Sequence, residues 1–170
     1  MKKIVITGGL GYIGTELCKI YSGYSWNDKI TVIDNRFISE RVNQIRNWNM
    51  NFVHGDILDK DLINKHCKDA DIIHHLAGIT DVPRVKSEIN NEHENKIKLI
   101  AEEGTQNILD AISDKCKIII PSTHVVYEGL EEVKNSINEN EETCPVLAYG
   151  KSKDFNEKQL KDSGKNYNIL

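Results

Sequence analysis

Tyr149 and Lys153 stand four residues apart in Tyr149-Gly150-Lys151-Ser152-Lys153, near the start of a helical pattern over Leu147–Lys161. On a helix that spacing puts both side chains on one face. A phenol ordinarily titrates near about 10. A tyrosine therefore takes a hydroxyl proton near neutral pH only when a nearby cation favours the phenolate. Lys153 is such a cation. The pair alone proves little, because an exposed tyrosine and lysine on a surface helix show the same spacing. Ser122-Thr123 adds weight, since it follows the β-branched run Lys117–Pro121. A hydroxyl at a strand's C-terminal end can bridge a substrate oxygen and a tyrosine base. Thr123, Tyr149 and Lys153 are thus a candidate set for taking a proton from an alcohol.

A second constellation suits a cofactor. The first apolar run ends in Thr7-Gly8-Gly9-Leu10-Gly11-Tyr12-Ile13-Gly14 and opens a helical pattern. This is a G-x-x-G-x-x-G turn between strand and helix. Gly8 permits the tight turn, Gly11 lets the backbone approach a pyrophosphate, and Gly14 allows close helix–strand packing. The helix N-terminus supplies N–H donors and the positive end of its dipole. The second run ends in Ile33-Asp34-Asn35. A carboxylate there accepts both adenosine ribose hydroxyls and repels a 2′-phosphate, so NAD is expected over NADP. Arg36 points the other way, because an arginine beside that strand end can pair with a phosphate. Asp34-Asn35 could also be a plain turn. With a nicotinamide in place, proton removal by Tyr149 would accompany hydride transfer to the ring. Lys153 and the ring's positive charge would favour phenolate, and Lys153 would also hold the nicotinamide ribose.

His54-Gly55-Asp56-Ile57 follows the third run, and His74-His75-Leu76-Ala77-Gly78 ends the fourth. The small residues Ala77 and Gly78 let a dinucleotide lie across the strand end. Adjacent strand residues face opposite sides, so His74 and His75 read as packed histidines rather than as a pair of metal ligands. No metal is expected.

These residues need a scaffold that gathers them at one edge. Strand-like runs at Lys3–Thr7, Ile30–Asp34, Asn51–His54, Asp71–Leu76, Lys117–Pro121 and from about Tyr167 alternate with helical patterns. The helices fall at Tyr12–Tyr21, about Glu40–Trp48, Asp59–Cys67, about Glu92–Ser113 and Leu147–Lys161. Asp59 is the expected N-cap of the third. Alternating β and α units imply an α/β fold with a doubly wound parallel sheet. The 170 residues suit one domain. Net charge is −4, which excludes a basic nucleic-acid-binding field. No apolar run approaches the roughly 20 residues of a membrane span. Cys18, Cys67, Cys116 and Cys144 form no C-x-x-C pair, so free thiols and a reducing cytoplasm are expected. The polar stretch 128–143 reads as a solvated loop.

As a set, these motifs resemble the extended short-chain dehydrogenase/reductases, in particular the NAD-dependent sugar-nucleotide epimerase/dehydratase family typified by UDP-galactose 4-epimerase. The matching stretches run in that family's order: Thr7–Gly14, Asp34-Asn35, Gly55–Ile57, His75–Gly78, Gly104–Leu109, Ser122-Thr123 with Val126-Tyr127, and Tyr149–Lys153. The resemblance implies a Rossmann fold with Gly8, Gly11, Tyr12, Ile13 and Gly14 at the pyrophosphate. It places Asp34 and Asn35 at the adenosine ribose, Asp56 and Ile57 around the adenine, and Leu76, Ala77 and Gly78 along the cofactor. It implies Thr123, Tyr149 and Lys153 as the catalytic set, a nucleotide-sugar substrate, and a homodimer paired through the long helix and the Tyr149 helix.

Four departures bear on the reaction. Ala101 stands where the family usually has asparagine. His124 and Val125 replace the acid and base positions of dehydratases and decarboxylases, which leaves epimerisation or simple oxidoreduction. Glu128 precedes Gly129, where the family has glycine directly. Family members run to about twice this length, so the chain reads as the NAD-binding domain, 1–170, lacking the C-terminal substrate domain. Three readings stay open: the cofactor domain of an epimerase, another reductase or dehydrogenase, and a non-catalytic NAD-binding protein.

Overall fold

The computed structural model describes residues 1–24, 27–80, 90–131 and 136–170. Parts of the polar stretch 128–143 and of the segment preceding the long helix, namely 132–135 and 81–89, lie outside the described residues. Six strands form one parallel sheet: β1 (Lys3–Thr7), β2 (Lys29–Asp34), β3 (Asn51–His54), β4 (Ile72–His75), β5 (Lys117–Ile120) and β6 (Asn166–Ile169). Helices α1 (Tyr12–Tyr24), α2 (Ser39–Asn47) and α3 (Lys60–Cys67) connect the first four strands. Next come α4 (Asn91–Leu99), a π-helical turn (Ile100–Gly104) and α5 (Thr105–Ala111), and then α6 (Ala148–Asp162) between the last two strands.

The strand order is β3-β2-β1-β4-β5-β6. The chain winds outward from β1 in one direction and from β4 in the other. The crevice beyond the carboxyl ends of β1 and β4 is the switch point where ligands bind in such sheets. Period-two alternation explains the two cores. Ile4 and Ile6 join Ile30, Val32, Cys18, Val42 and Ile45 on one face. Val5 joins Ile33, Ile73, Ile63, Ile108, Ile118 and Leu160 on the other. Burial on both faces is why β1 and β2 read as near-continuous apolar runs, while the edge strands β3 and β6 are more exposed.

Asp59 caps α3 as expected, its carboxylate accepting the Leu62 N–H at 3.0 Å. The long helix departs from the uniform helix that its apolar spacing suggests. A π-helical turn interrupts it just before Thr105, and such turns widen the backbone by one residue. The apolar spacing survives the interruption, since Ile97, Ile100, Ile108 and Ile112 are all buried.

Candidate active site

The glycine turn is held by backbone geometry. Gly8 has φ +70, and its N–H donates to Ile33 O at 2.8 Å. A Cβ on Gly8 would lie 2.6 Å from Ala77 N, and one on Gly14 would lie 2.6 Å from Gly8 O. Strand ends and helix start thus approach more closely than any side chain permits. Asp34 is only 4% exposed. Its Oδ2 accepts the Leu10 N–H at 2.9 Å and its Oδ1 accepts the Arg36 N–H at 3.0 Å. The Arg36 Nε–H also donates to Oδ1, at 3.2 Å. Arg36, read from sequence as a possible phosphate partner, is thus engaged by the carboxylate at the β2 end. Asn35 Nδ2 donates to Asp56 Oδ2 at 2.9 Å and joins the β2 and β3 ends.

These residues surround one cavity of about 660 Å³ at the switch point. Every residue expected to touch the cofactor lines it: Gly8, Gly11, Tyr12, Ile13, Gly14, Asp34, Asn35, Asp56, Ile57, Leu76, Ala77, Gly78, Tyr149 and Lys153. Ser122 lines it too, but Thr123 does not. The Thr123 hydroxyl instead accepts the Val125 N–H at 3.3 Å and caps a short 3₁₀ turn over His124–Tyr127. Sequence reading also missed Lys96 and Ile100 at the cavity. No motif marks Lys96, and its orientation depends on a helix whose register passes through the π turn.

At the other end of the cavity, Lys153 donates to Pro121 O at 2.9 Å, and its Nζ lies 6.0 Å from the Tyr149 ring centroid. Burial pulls Lys153 down to about 8. Ser122 donates to Glu157 Oε1, tying the β5 end to α6. The start of α6 has no side-chain cap of its own. Glu128 supplies one from a distance, Oε1 accepting the Val146 and Leu147 N–H groups at 2.9 and 2.7 Å. The residue that departs from the family's glycine therefore holds the entry to the helix bearing Tyr149.

His74 and His75 face opposite sides of β4, as strand geometry requires. His74 Nε2 pairs with the Tyr21 hydroxyl at 2.7 Å. His75 is buried between Thr7 and Thr105, with ring nitrogens at 2.8 and 3.0 Å from their hydroxyls. Burial holds His75 down to about 3, below its ordinary 6.5. The neutral ring's contribution to stability is therefore complete above pH 6.5 and is lost as pH falls from there toward 3. Thermal melts across that range should show the loss, and a His75→Gln variant should show a shallower acid limb. Equal slopes would mean that other groups dominate.

The model of the 3-beta hydroxysteroid dehydrogenase/isomerase family matches residues 5–168. The CDP-paratose 2-epimerase of Salmonella typhi is 32% identical over 160 residues, which cover 84% of this chain and 43% of that protein. The solved UDP-glucose 4-epimerase from Brucella ovis, in complex with NAD, superposes with a TM-score of 0.81 at 26% identity and covers 100% of this chain and 51% of its own. The UDP-N-acetylglucosamine 4-epimerase from Methanobrevibacter ruminantium M1, in complex with UDP-N-acetylmuramic acid, superposes with a TM-score of 0.81 at 27% identity and covers 99% and 54%. The chain thus spans about half the length, or less, of the relatives it matches. With the matched model running from β1 into β6, the chain belongs to the 3-beta hydroxysteroid dehydrogenase/isomerase family, within the extended short-chain dehydrogenase/reductases.

Proposed function

We propose that residues 1–170 are the NAD-binding domain of an enzyme that oxidises and reduces, and thereby epimerises, a nucleotide-activated sugar. One observation carries this reading. Tyr149 and Lys153 share a single cavity with the glycine turn, Asp34 and Asp56. NAD laid across the switch point would place its pyrophosphate on the N–H groups that open α1. Its adenosine ribose would meet Asp34, its adenine Asp56 and Ile57, and its nicotinamide ribose Lys153. Bound NAD supplies the hydride acceptor. Tyr149 takes the sugar hydroxyl proton; the bridging hydroxyl expected at Thr123 caps the turn that follows it, and of the Ser122-Thr123 pair it is Ser122 that lines the cavity. His124 and Val125 leave no extra acid or base beside that pair, which favours epimerisation over elimination of water or loss of carboxylate. The substrate class rests on the names of the relatives above.

The cofactor half is tested by calorimetric titration of NAD and NADP. NAD should bind more tightly, and Asp34→Ala should weaken it by about 1–3 kcal/mol, the cost of losing charge-assisted hydrogen bonds. Equal or tighter NADP binding would show that Arg36, paired with Asp34 in this structure, dominates the site.

We further propose a homodimer through the α4 and α6 side of the domain. These helices pack on one another, and Leu99 and Phe155 remain 42% and 40% exposed on them. Light scattering at micromolar concentration should give twice the mass of the chain; a clean monomer mass refutes the pairing. The buried free thiols of Cys18, Cys67 and Cys116 favour the reducing cytoplasm. No helix among the described residues is long and apolar enough to cross a membrane.

A further inference from the structure

We propose that Asn156 is a positioning residue, fixing the helix that carries Tyr149 and Lys153 against the strand ends at the cofactor cavity through a buried chain of side chains: Asn156, Thr105, His75 and Thr7. Asn156 lies seven residues beyond Tyr149, two helical turns on and so on the same face. It is 5% exposed. Its Nδ2 donates to Ala101 O at 2.8 Å and to Thr105 Oγ1 at 3.0 Å. Both partners belong to the interrupted long helix, Ala101 within the π turn and Thr105 immediately after it. Gln159 reinforces the contact one turn on, its Nε2 donating to Glu102 O at 3.1 Å.

From Thr105 the chain crosses to β4 and β1. The Thr105 hydroxyl lies 3.0 Å from His75 Nε2, and His75 Nδ1 lies 2.8 Å from the Thr7 hydroxyl. A neutral imidazole has one N–H and one lone pair, so it donates to one threonine and accepts from the other. Thr7 Oγ1 in turn accepts the Ala77 N–H at 3.4 Å, and Ala77 lines the cavity. Thr7 and Thr105 are fully buried and His75 is 2% exposed. No buried polar side-chain atom among the described residues lacks a partner. Removing one member would orphan the next, so the chain behaves as a unit. Asn156 thereby links the Tyr149 end of the cavity to the glycine-turn end without itself lining the cavity. The side chain at 101 has no amide to offer, and the amide reaches the same backbone from the opposing helix.

The proposal rests on the assignment of α6 as the catalytic helix, and its test reads the position of that helix without turnover. Lys153 is the reporter, because it donates to Pro121 O, its Nζ lies 6.0 Å from the Tyr149 ring centroid, and burial sets its titration, with His75 the group on β4 that interacts with it electrostatically. Its side-chain titration is followed by NMR in the 170-residue protein. In the unsubstituted protein it should fall near 8. Asn156→Ala and Thr105→Val should each let α6 loosen and raise the Lys153 titration by a unit or more. Their double variant should show little beyond the larger single effect, and Thr105→Ser, which keeps the hydroxyl, should restore the original value. Lower melting temperatures with an unmoved Lys153 titration, or additive effects in the double variant, would overturn the proposal. If Asn156→Ala does not fold, Thr105→Val and Thr105→Ser carry the comparison alone. A parallel NAD titration separates the two readings: absent NAD binding removes the functional assignment, while the Lys153 shifts still decide the role of Asn156.

Discussion

Tyr149→Phe is expected to lower turnover of a UDP-sugar by about 10²–10⁴-fold, the range a positioned acid–base group contributes. The phenol and the Lys153 ammonium share one end of the cavity, while the glycine turn and Asp34 that would hold NAD occupy the other. Losing one hydroxyl should therefore leave NAD affinity within a few-fold. Coupled epimerase assays with UDP-glucose and UDP-galactose on the full gene product, with NAD titration in parallel, measure both. A fully active variant would take the base away from Tyr149. The same assay on residues 1–170 alone should give no turnover. Orienting a sugar carbon against the nicotinamide can contribute roughly 7–11 kcal/mol, and the cavity described here is lined by the cofactor residues. Robust turnover by these residues alone would refute the division of labour.

Gly8→Val should abolish NAD binding and destabilise the fold. The φ of +70 at Gly8 alone costs a β-branched residue about 1–3 kcal/mol. The new Cβ would also fall 2.6–2.8 Å from Ala77 N, Ala77 Cα and Leu76 C. These are backbone atoms of the chain leaving β4, and no rotamer change moves them aside. Either the turn rebuilds or β1 and β4 part at their carboxyl ends, and both outcomes dismantle the proposed pyrophosphate site. Gly23→Ala is the control, because a Cβ at Gly23 meets nothing within 4 Å. Denaturant melts and calorimetry report the two effects. A Gly8→Val protein with unchanged midpoint and NAD affinity would show that the close approach is dispensable.

The glycine-turn end of the cavity was more legible in the sequence than the Tyr149 end, for a physical reason. Backbone-binding turns leave local marks: Gly8 and Gly14 are spaced by the turn itself, and Asp34 closes a strand. All of these reach the cavity. The Tyr149 end depends on contacts between distant elements. Tyr149 and Lys153 were visible because one helix turn brings them together. Whether Ser122 or Thr123 faces the cavity turns on a cap formed two residues later. Glu128 looked like a departure from pattern and proves to hold the start of α6, a bond spanning 19 residues. The π turn left no trace, because the apolar spacing runs through it unbroken.

The two imidazoles of β4 carry a consequence for strand alignment. A strand clothed on both sides by apolar helices gains little from hydrophobicity in choosing its register, since Ile72 and Ile73 each find grease whichever way they point. His74 and His75 are not interchangeable in this way. One meets a tyrosine on the α1 layer and the other two threonines on the opposite layer. Sliding β4 by a single residue would turn each ring toward the wrong layer. Each misplaced ring would forfeit its partners at about 1–3 kcal/mol. Mispaired alignments of the central strand are thereby rejected during folding by a pair of polar keys, where the aliphatic residues around them would accept either fit.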